Sequence, residues 1–389
     1  MRSNSVKRTL FSNYDVVLVM LCIFLGVFGL VMIYSTSSYN AARYYGDAKL
    51  YFNRQGLFLI IGFFAMIVVS QIDYRWYIKP WFGITWLRPI LILYILCLGM
   101  QVYVLVNGYS AGGSSRWIMI RGIGTFQPSE VTKICFIVVV AYLAQKAPKR
   151  MNYLSGYLVV VAAMAPLLVL VARQNLSTAI IMAGILTVIC FVVSRKKAYY
   201  AIVFMLLAGF AAVFVMMAGY RAERIENWLH PENLESGSQI LSGLYAIASG
   251  GLWGKGLGES IEKLGYIPEV HTDMIFTVIC EELGIFGGIL VIATVLFMLW
   301  RLMLIAINAP DMYGGLIAAG VLSHIALQVL LNIAVVTNSV PATGIPFPFI
   351  SYGGSSLLVL MAEMGIALSV SKYTVREVPN EEVEQVYQA

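Results

Sequence analysis

The sequence predicts an all-α polytopic membrane protein of about ten transmembrane helices, with long extracellular loops between spans three and four and between spans seven and eight. Three observations predict this class. Of the 389 residues, 60% are hydrophobic and 12% charged, whereas a soluble domain is about 45–50% apolar and about 25% charged. The mean hydropathy of +0.81 is more apolar than a soluble fold could conceal. The apolar residues also fall in runs near the roughly 20 residues that one helical crossing needs. A soluble enzyme and a disordered chain are therefore excluded. The runs lack the alternation of an outer-membrane barrel, and helices satisfy their own backbone in lipid.

The first run, Val16–Tyr34, follows Lys7 and Arg8. It is longer than a signal-peptide core and no small-residue cleavage site follows it, so it reads as an uncleaved first span. Further spans are expected at 54–70, 84–106, 129–145, 153–172, 175–194, 198–219, 274–300, 314–336 and 352–371, within a single ten-helix membrane domain over residues 1–389. An even number of crossings puts both termini on one side. Arg75, Lys79, Lys146, Lys149, Arg150, Arg195, Lys196, Lys197, Arg301 and Lys372 share that side, and the positive-inside bias makes it cytoplasmic. The outer side then holds the loop 107–128, the larger loop 220–273 and the proline- and glycine-rich segment 337–351. Long loops gathered on one face mark where chemistry or recognition is expected. The polar, acidic tail 376–389 is expected to be a flexible cytoplasmic extension.

The net charge of +6 is scattered through the loops and gives no reason to invoke nucleic acid. Cys22, Cys97, Cys135, Cys190 and Cys280 lie in apolar runs and read as small buried hydrophobes. His230, His271 and His324 lack ligand spacing, so no metal site is expected from them.

Four constellations could carry chemistry. In GGSSRWIMIRGIGTFQPSEVTK (112–133), Arg116 and Trp117 sit in the loop, Pro128 suits a first helical turn, and Glu130 and Lys133 share one face of span four. Charges at that depth are functional candidates, or else a structural ion pair. The loop 221–273 carries Arg221, Arg224, Lys255 and Lys263 around a glycine run at 250–258. The run reads as close backbone approach or as a flexible turn, and it does not match a nucleotide-binding loop. His271-Thr272-Asp273 precedes span eight. Asp273 could be a general base toward a hydroxyl, or Thr272 or Asp273 could simply cap the helix, and His271 is a second base candidate. Glu281 and Glu282 lie deeper and need partners or a polar cavity. Finally, Pro341, Pro346 and Pro348 forbid a regular helix in PATGIPFPFISYGGSS (341–356). Ser351, Ser355 and Ser356 could bond a polar headgroup there, or the segment could be a rigid re-entrant cap. Glu363 is a buried acid for which Lys133 is one conceivable partner.

The runs FQPSEVTK, AIASGGLWGKGLGES, IPEVHTDMIFTVICEELG and PATGIPFPFISYGGSS, in that order, resemble the SEDS family of ten-span bacterial membrane proteins, which includes FtsW, RodA and SpoVE. The resemblance covers roughly residues 14–372. GLGES followed by KLGYIPE, and LLNIAVVTNSVPATGIP, are more similar to the FtsW/SpoVE branch than to RodA. The resemblance implies a peptidoglycan glycosyltransferase that polymerises lipid II at the outer face of the cytoplasmic membrane, in cell division or sporulation. Lipid II, polyprenyl-pyrophosphate-linked glycan, a class B penicillin-binding protein transpeptidase and other division proteins are the implied partners.

Carried over residue by residue, the resemblance places the catalytic aspartate on Asp273. It places substrate-binding positions on Arg116, Trp117, Glu130, Lys133, Lys255, His271, Ser351 and Ser355. Arg116, Lys133, Arg221 and Arg224 are the candidate cations for the leaving pyrophosphate. No cofactor is fixed by the sequence, although a divalent cation, Mg or Mn, could share that charge. The chain departs from the family at Asn175, where many members carry aspartate. A lipid II flippase and a non-catalytic divisome scaffold are the alternative readings.

Overall fold

The apolar runs become helices whose ends are set by ordinary capping chemistry. A computed structural model describes residues 14–84, 87–111, 114–120, 124–200, 202–205, 209, 228–230, 238–261, 263 and 270–374. Helix α1 (Val16–Tyr45) starts at Asp15, whose carboxylate accepts the Leu18 amide at 3.0 Å, and stops at the left-handed Gly46. It is followed by α2 (Leu50–Gln71) and by α3 (Pro89–Asn107) and α4 (Pro128–Lys146), both opened by a proline whose missing N–H costs nothing in the first turn. Then come α5 (Leu154–Gln174) and α6 (Leu176–Val193), the latter capped by the Asn175 side chain. The remaining helices are α7 (Ser238–Gly250), α8 (Ile275–Ile307), α9 (Met312–Val336), capped by Asp311, and α10 (Gly354–Ser371).

Among the described residues, nine helices, all but α7, are long and apolar enough to cross a membrane. The seventh expected span, 198–219, falls largely outside the described residues, and so do much of the loop 220–273, with Arg221 and Arg224, and the tail 376–389. Two helices run well past their expected ends. Hydropathy marks the lipid-embedded part of a helix and not its full length, so α1 continues from Tyr34 to Tyr45 and α8 continues to Ile307. The stretch 107–128 holds a three-stranded antiparallel sheet of β1 (Tyr109–Ala111), β2 (Ser114–Ile120) and β3 (Gly124–Phe126).

Helices α4, α9 and α10 are mostly buried, and α2, α3 and α5 surround them with lipid-exposed faces. Close packing uses small residues, as expected where lipid removes the hydrophobic drive between helices. A Cβ at Gly365 of α10 would lie 2.6 Å from the Met66 carbonyl oxygen of α2. At one end, the Asp15 amide donates to Ser371 Oγ at 3.2 Å and Arg301 pairs with Asp15 at 2.7 Å. The start and finish of the described chain therefore share an end. The sheet, α7 and two irregular segments occupy the other, loop-rich end.

The first irregular segment, 337–353, takes in most of the proline-rich stretch 341–356 and packs into the bundle. Phe347 and Ile350 are fully buried, and a Cβ on Gly29 of α1 would lie 2.7 Å from Ile350 Cα. The second is the glycine run, which is seated on a break in α8 at Gly284 (φ 70°, ψ −174°). There the amides of Ile285 and Phe286 turn away from the helix and donate to the carbonyls of Gly251 (2.9 Å) and Leu252 (3.3 Å). The carbonyls they leave, Glu281 and Glu282, accept the amides of Lys255 (2.9 Å) and Gly256 (3.0 Å). Helix and loop thus exchange backbone partners, and these four amides and four carbonyls are all paired.

This exchange tolerates no side chain at its contacts. A Cβ would meet the Glu282 carbonyl oxygen at 2.2 Å from Gly254 (φ +80°) and the Leu252 carbonyl oxygen at 2.3 Å from Gly284 (φ +70°). Gly254→Ala and Gly284→Ala should each destabilise the protein by about 1–3 kcal/mol, read as a lowered melting temperature in detergent. Gly99→Ala in the middle of α3, where nothing lies within 4 Å, should not lower it, since alanine favours a helix over glycine.

Candidate functional site

The site at the loop-rich end is assembled by segments that meet without regular structure. Asp273 is half-buried just before α8. The helix begins at Ile275 with Met274 as a cap residue that supplies no side-chain bond, so neither Thr272 nor Asp273 caps it. Thr272 Oγ1 instead donates to Asp273 Oδ1 at 3.2 Å. The Asp273 carbonyl accepts Asn332 Nδ2 at 2.8 Å, and the same nitrogen donates to the Ile345 carbonyl at 2.7 Å. The Tyr352 amide donates to the His271 carbonyl at 2.8 Å. Residues 271–273 are therefore pinned to the 341–353 segment at both ends. Gly344 faces the carboxylate, since a Cβ there would lie 3.6 Å from Asp273 Oδ2.

His271 packs against the rings of Tyr51 (4.6 Å between centroids) and Tyr352 (5.4 Å), which also touch each other at 4.9 Å. Burial pushes its imidazole down to about 4, because the charged form is poorly solvated there. It is neutral at physiological pH and offers no cationic charge to a phosphate.

A second cluster lies deeper. Glu130 and Lys133 pair at 3.0 Å, both buried, and Ser356 Oγ donates to Glu130 Oε2 at 2.9 Å. Lys133 Nζ reaches Gln328 Oε1 at 3.4 Å, and Gln328 Nε2 donates to the Pro346 carbonyl at 2.9 Å. The conceivable Lys133–Glu363 pair does not form, because Lys133 is held by Glu130 while His324 Nδ1 sits 2.8 and 2.9 Å from the Glu363 oxygens. Gln328 must present its oxygen to His324 Nε2 (2.9 Å), so Nε2 carries a hydrogen.

His324, Gln328 and Asn332 occupy one face of α9 at four-residue spacing and tie the interior to the Asp273 segment. The sequence reading missed them. Their signal was three polar side chains at helical period inside an apolar run.

The other expected positions are spread around this centre. Arg116 Nε donates to the Gln174 carbonyl at 3.0 Å, beside the Asn175 cap, and Ser177 of α6 donates to the Thr343 carbonyl at 3.2 Å. The start of α6 thus touches both Arg116 and the 341–353 segment that faces Asp273. Trp117 lies opposite Tyr109 in the sheet. Ser351 is buried, and its hydroxyl accepts the Phe347 amide at 2.8 Å. Ser355 is half-buried in the first turn of α10. Lys255 pairs with Glu281 at 2.7 Å, a carboxylate that also accepts the Ser260 hydroxyl (2.5 Å) and the Ile261 amide (3.1 Å). Glu282 is matched by Lys263 at 2.8 Å and by Ser35. The two deep acids thus have the partners their depth demands. Among the described residues, no group of three or more histidine, cysteine, aspartate or glutamate side chains could hold a metal ion.

The model of the FtsW/RodA/SpoVE family, described as cell cycle protein, matches residues 15–376. The chain belongs to this family. It is 38% identical to the stage V sporulation protein E of Bacillus subtilis over 92% of this chain and 97% of that protein. It is 36% identical to a probable peptidoglycan glycosyltransferase FtsW of Geobacter metallireducens, over 92% and 95% respectively. The family fold is equally plain in solved structures. A chain of a peptidoglycan synthase complex that coordinates polymerization and crosslinking superposes with a TM-score of 0.75 at 24% identity, covering 94% of this chain and 99% of that one. The rod shape determining protein RodA of Thermus thermophilus does so with 0.66 at 22% identity, over 96% and 100%.

Two outcomes test this geometry. Asn332→Leu leaves two buried carbonyls short of a donor and should cost on the order of 1–3 kcal/mol, and Asn332→Asp, an isosteric acceptor facing acceptors, should be no better. Wild-type melting temperature for Asn332→Asp would contradict the pin. For His271, the folded imidazole takes its proton only near pH 4, while the unfolded one does so near 6.5. Between these values the unfolded chain holds more protons, so stability falls as pH falls. Melting temperatures measured from pH 6.5 to 4 should drop more for wild type than for His271→Phe, and parallel curves would refute the buried neutral imidazole.

Proposed function

We propose that this protein is a peptidoglycan glycosyltransferase that polymerises lipid II into glycan strands at the outer face of the bacterial cytoplasmic membrane, in cell division or sporulation, with Asp273 as the general base. The observation that carries this reading is the convergence of the Asp273 carboxylate with the 341–353 segment at the loop-rich end, on a scaffold shared with probable peptidoglycan glycosyltransferases. The loop-rich end is outermost and both termini are cytoplasmic, in keeping with the basic residues gathered at the opposite end.

A sugar hydroxyl of the acceptor attacks the anomeric carbon of the donor glycan. The new glycosidic bond forms as the bond to the polyprenyl pyrophosphate breaks, and the hydroxyl proton passes to an Asp273 oxygen. Arg116, with Arg221 and Arg224, receives the leaving pyrophosphate, for which the guanidinium fork is suited. Trp117 and Ser355 border the substrate. Glu130, Lys133, His271 and Ser351 act by shaping the segments around Asp273, since each is held by neighbouring protein groups. Lys255 shapes the glycine loop through Glu281. A divalent cation, Mg or Mn, would share the pyrophosphate charge. A class B penicillin-binding protein is the working partner, consistent with the similarity to a chain of a peptidoglycan synthase complex.

The paired state of Glu130, Glu281, Glu282 and Glu363 favours surface chemistry over lipid transport, which calls for exchangeable charges near the midplane. Purified Asp273→Asn, with its transpeptidase partner and lipid II, should lose about 10²–10⁴-fold in polymerisation rate while keeping the wild-type melting temperature. Glycan synthesis at the wild-type rate would remove Asp273 from the base role.

A further inference from the structure

We propose that residues 251–261 form a re-entrant membrane element whose apolar face is embedded among the acyl chains of the leaflet at the loop-rich end. The first ground is depth. The loop is seated on α8 at residues 281–286, and Trp253 packs at a tilt against Phe286 with ring centroids 4.9 Å apart. Trp300 and Arg301 of the same helix stand at the opposite end, where Arg301 pairs with Asp15. From Phe286 to Arg301 the helix rises about 22 Å, and the hydrocarbon slab is about 30 Å thick. Taking Trp300 and Arg301 as one boundary, Phe286 and the tryptophan upon it lie inside the other.

The second ground is the backbone. Irregular chain at that depth survives only where protein satisfies its polar groups, and the partner exchange with α8 does this for Gly251, Leu252, Lys255 and Gly256. Glu281 and Glu282 beneath the loop are neutralised by Lys255 and Lys263. Glu259 is exposed and fits a tip at headgroup level.

The third ground is the face itself. Trp253 is 80% exposed, and Leu252, Leu257 and Ile261 are exposed beside it. The exposed Ile285, Phe286, Ile289 and Leu290 of α8 continue the same surface down the lipid-facing side of the bundle. Continuity with a lipid-facing helix surface, and a tryptophan near the boundary, identify the occupant as bilayer acyl chains. A lipid-anchored substrate would then meet this loop within its own leaflet. The inference rests on the membrane architecture and is independent of the role of Asp273.

The test uses the full chain in phospholipid vesicles. Seven tryptophans contribute to emission, so the Trp253 component is the difference between wild type and Trp253→Phe. Vesicles of lipids brominated on the acyl chains should remove most of that component, and aqueous iodide should leave it intact. A nitroxide on Leu257→Cys, selective because all five native cysteines are buried, should collide more readily with oxygen than with a water-soluble nickel chelate. Iodide quenching without bromolipid quenching, or free collision of the nitroxide with the nickel chelate, would place the face in water, open to a protein partner, and overturn the proposal.

Discussion

One carboxamide joins the Asp273 segment to the 341–353 segment, and the site depends on both. Asn332 donates from a single nitrogen to the carbonyls of Asp273 and Ile345, and the position of the aspartate is set by this bridge more than by the helix it precedes. The constraint behind it is the absence of water. A helix end and a proline-broken loop buried in a bundle both carry polar groups that must find protein partners. The long amides of Gln55, Gln328 and Asn332 supply them to Ser351, Gly353, Pro346 and Ile345. These side chains take the place of a sheet or helix ladder, and in doing so hold 341–353 against 271–273.

The same constraint explains the charges. Glu130 meets Lys133 one turn along its own helix, while Glu281, Glu282 and Glu363 each meet a lysine or a histidine from another element. Breaking any one of these pairs would leave a buried charge uncompensated, which costs far more than the pair gains. The polar interior is therefore fixed scaffolding under a site at its rim, and the chemistry is left to groups at the edge of the protein.

Much of this was legible in the sequence. Spans announced themselves by hydropathy, and helix starts by Asp15, Pro89, Pro128 and Asn175. The motif runs around Glu130, Asp273 and Ser351 pointed to the family that the match over residues 15–376 establishes. What was not legible has physical reasons. The small sheet at 109–126 is too short for its alternation to stand out. Helix α7 is amphipathic and brief, without the apolar length of a span. The extent of α1 beyond Tyr34 escaped because polar residues continue a helix as readily as apolar ones once it leaves lipid. The partners of Glu281, Glu282 and Glu363 lie 19 to 39 residues away in sequence or further, and no local pattern encodes such pairing. The glycine run was read as close backbone approach or flexible turn. The first holds, and what it approaches is the protein's own helix.

If Asp273 serves as the base, its carboxylate must be open to an incoming hydroxyl while the acids below it are sealed. Labelling the purified protein with a water-soluble carbodiimide and an amine, with mass spectrometry of each acidic position, measures this directly. The account predicts modification of Asp273, suppressed by bound lipid II, with Glu282 and Glu363 unmodified. An inert Asp273, or labelling that lipid II does not change, would contradict it.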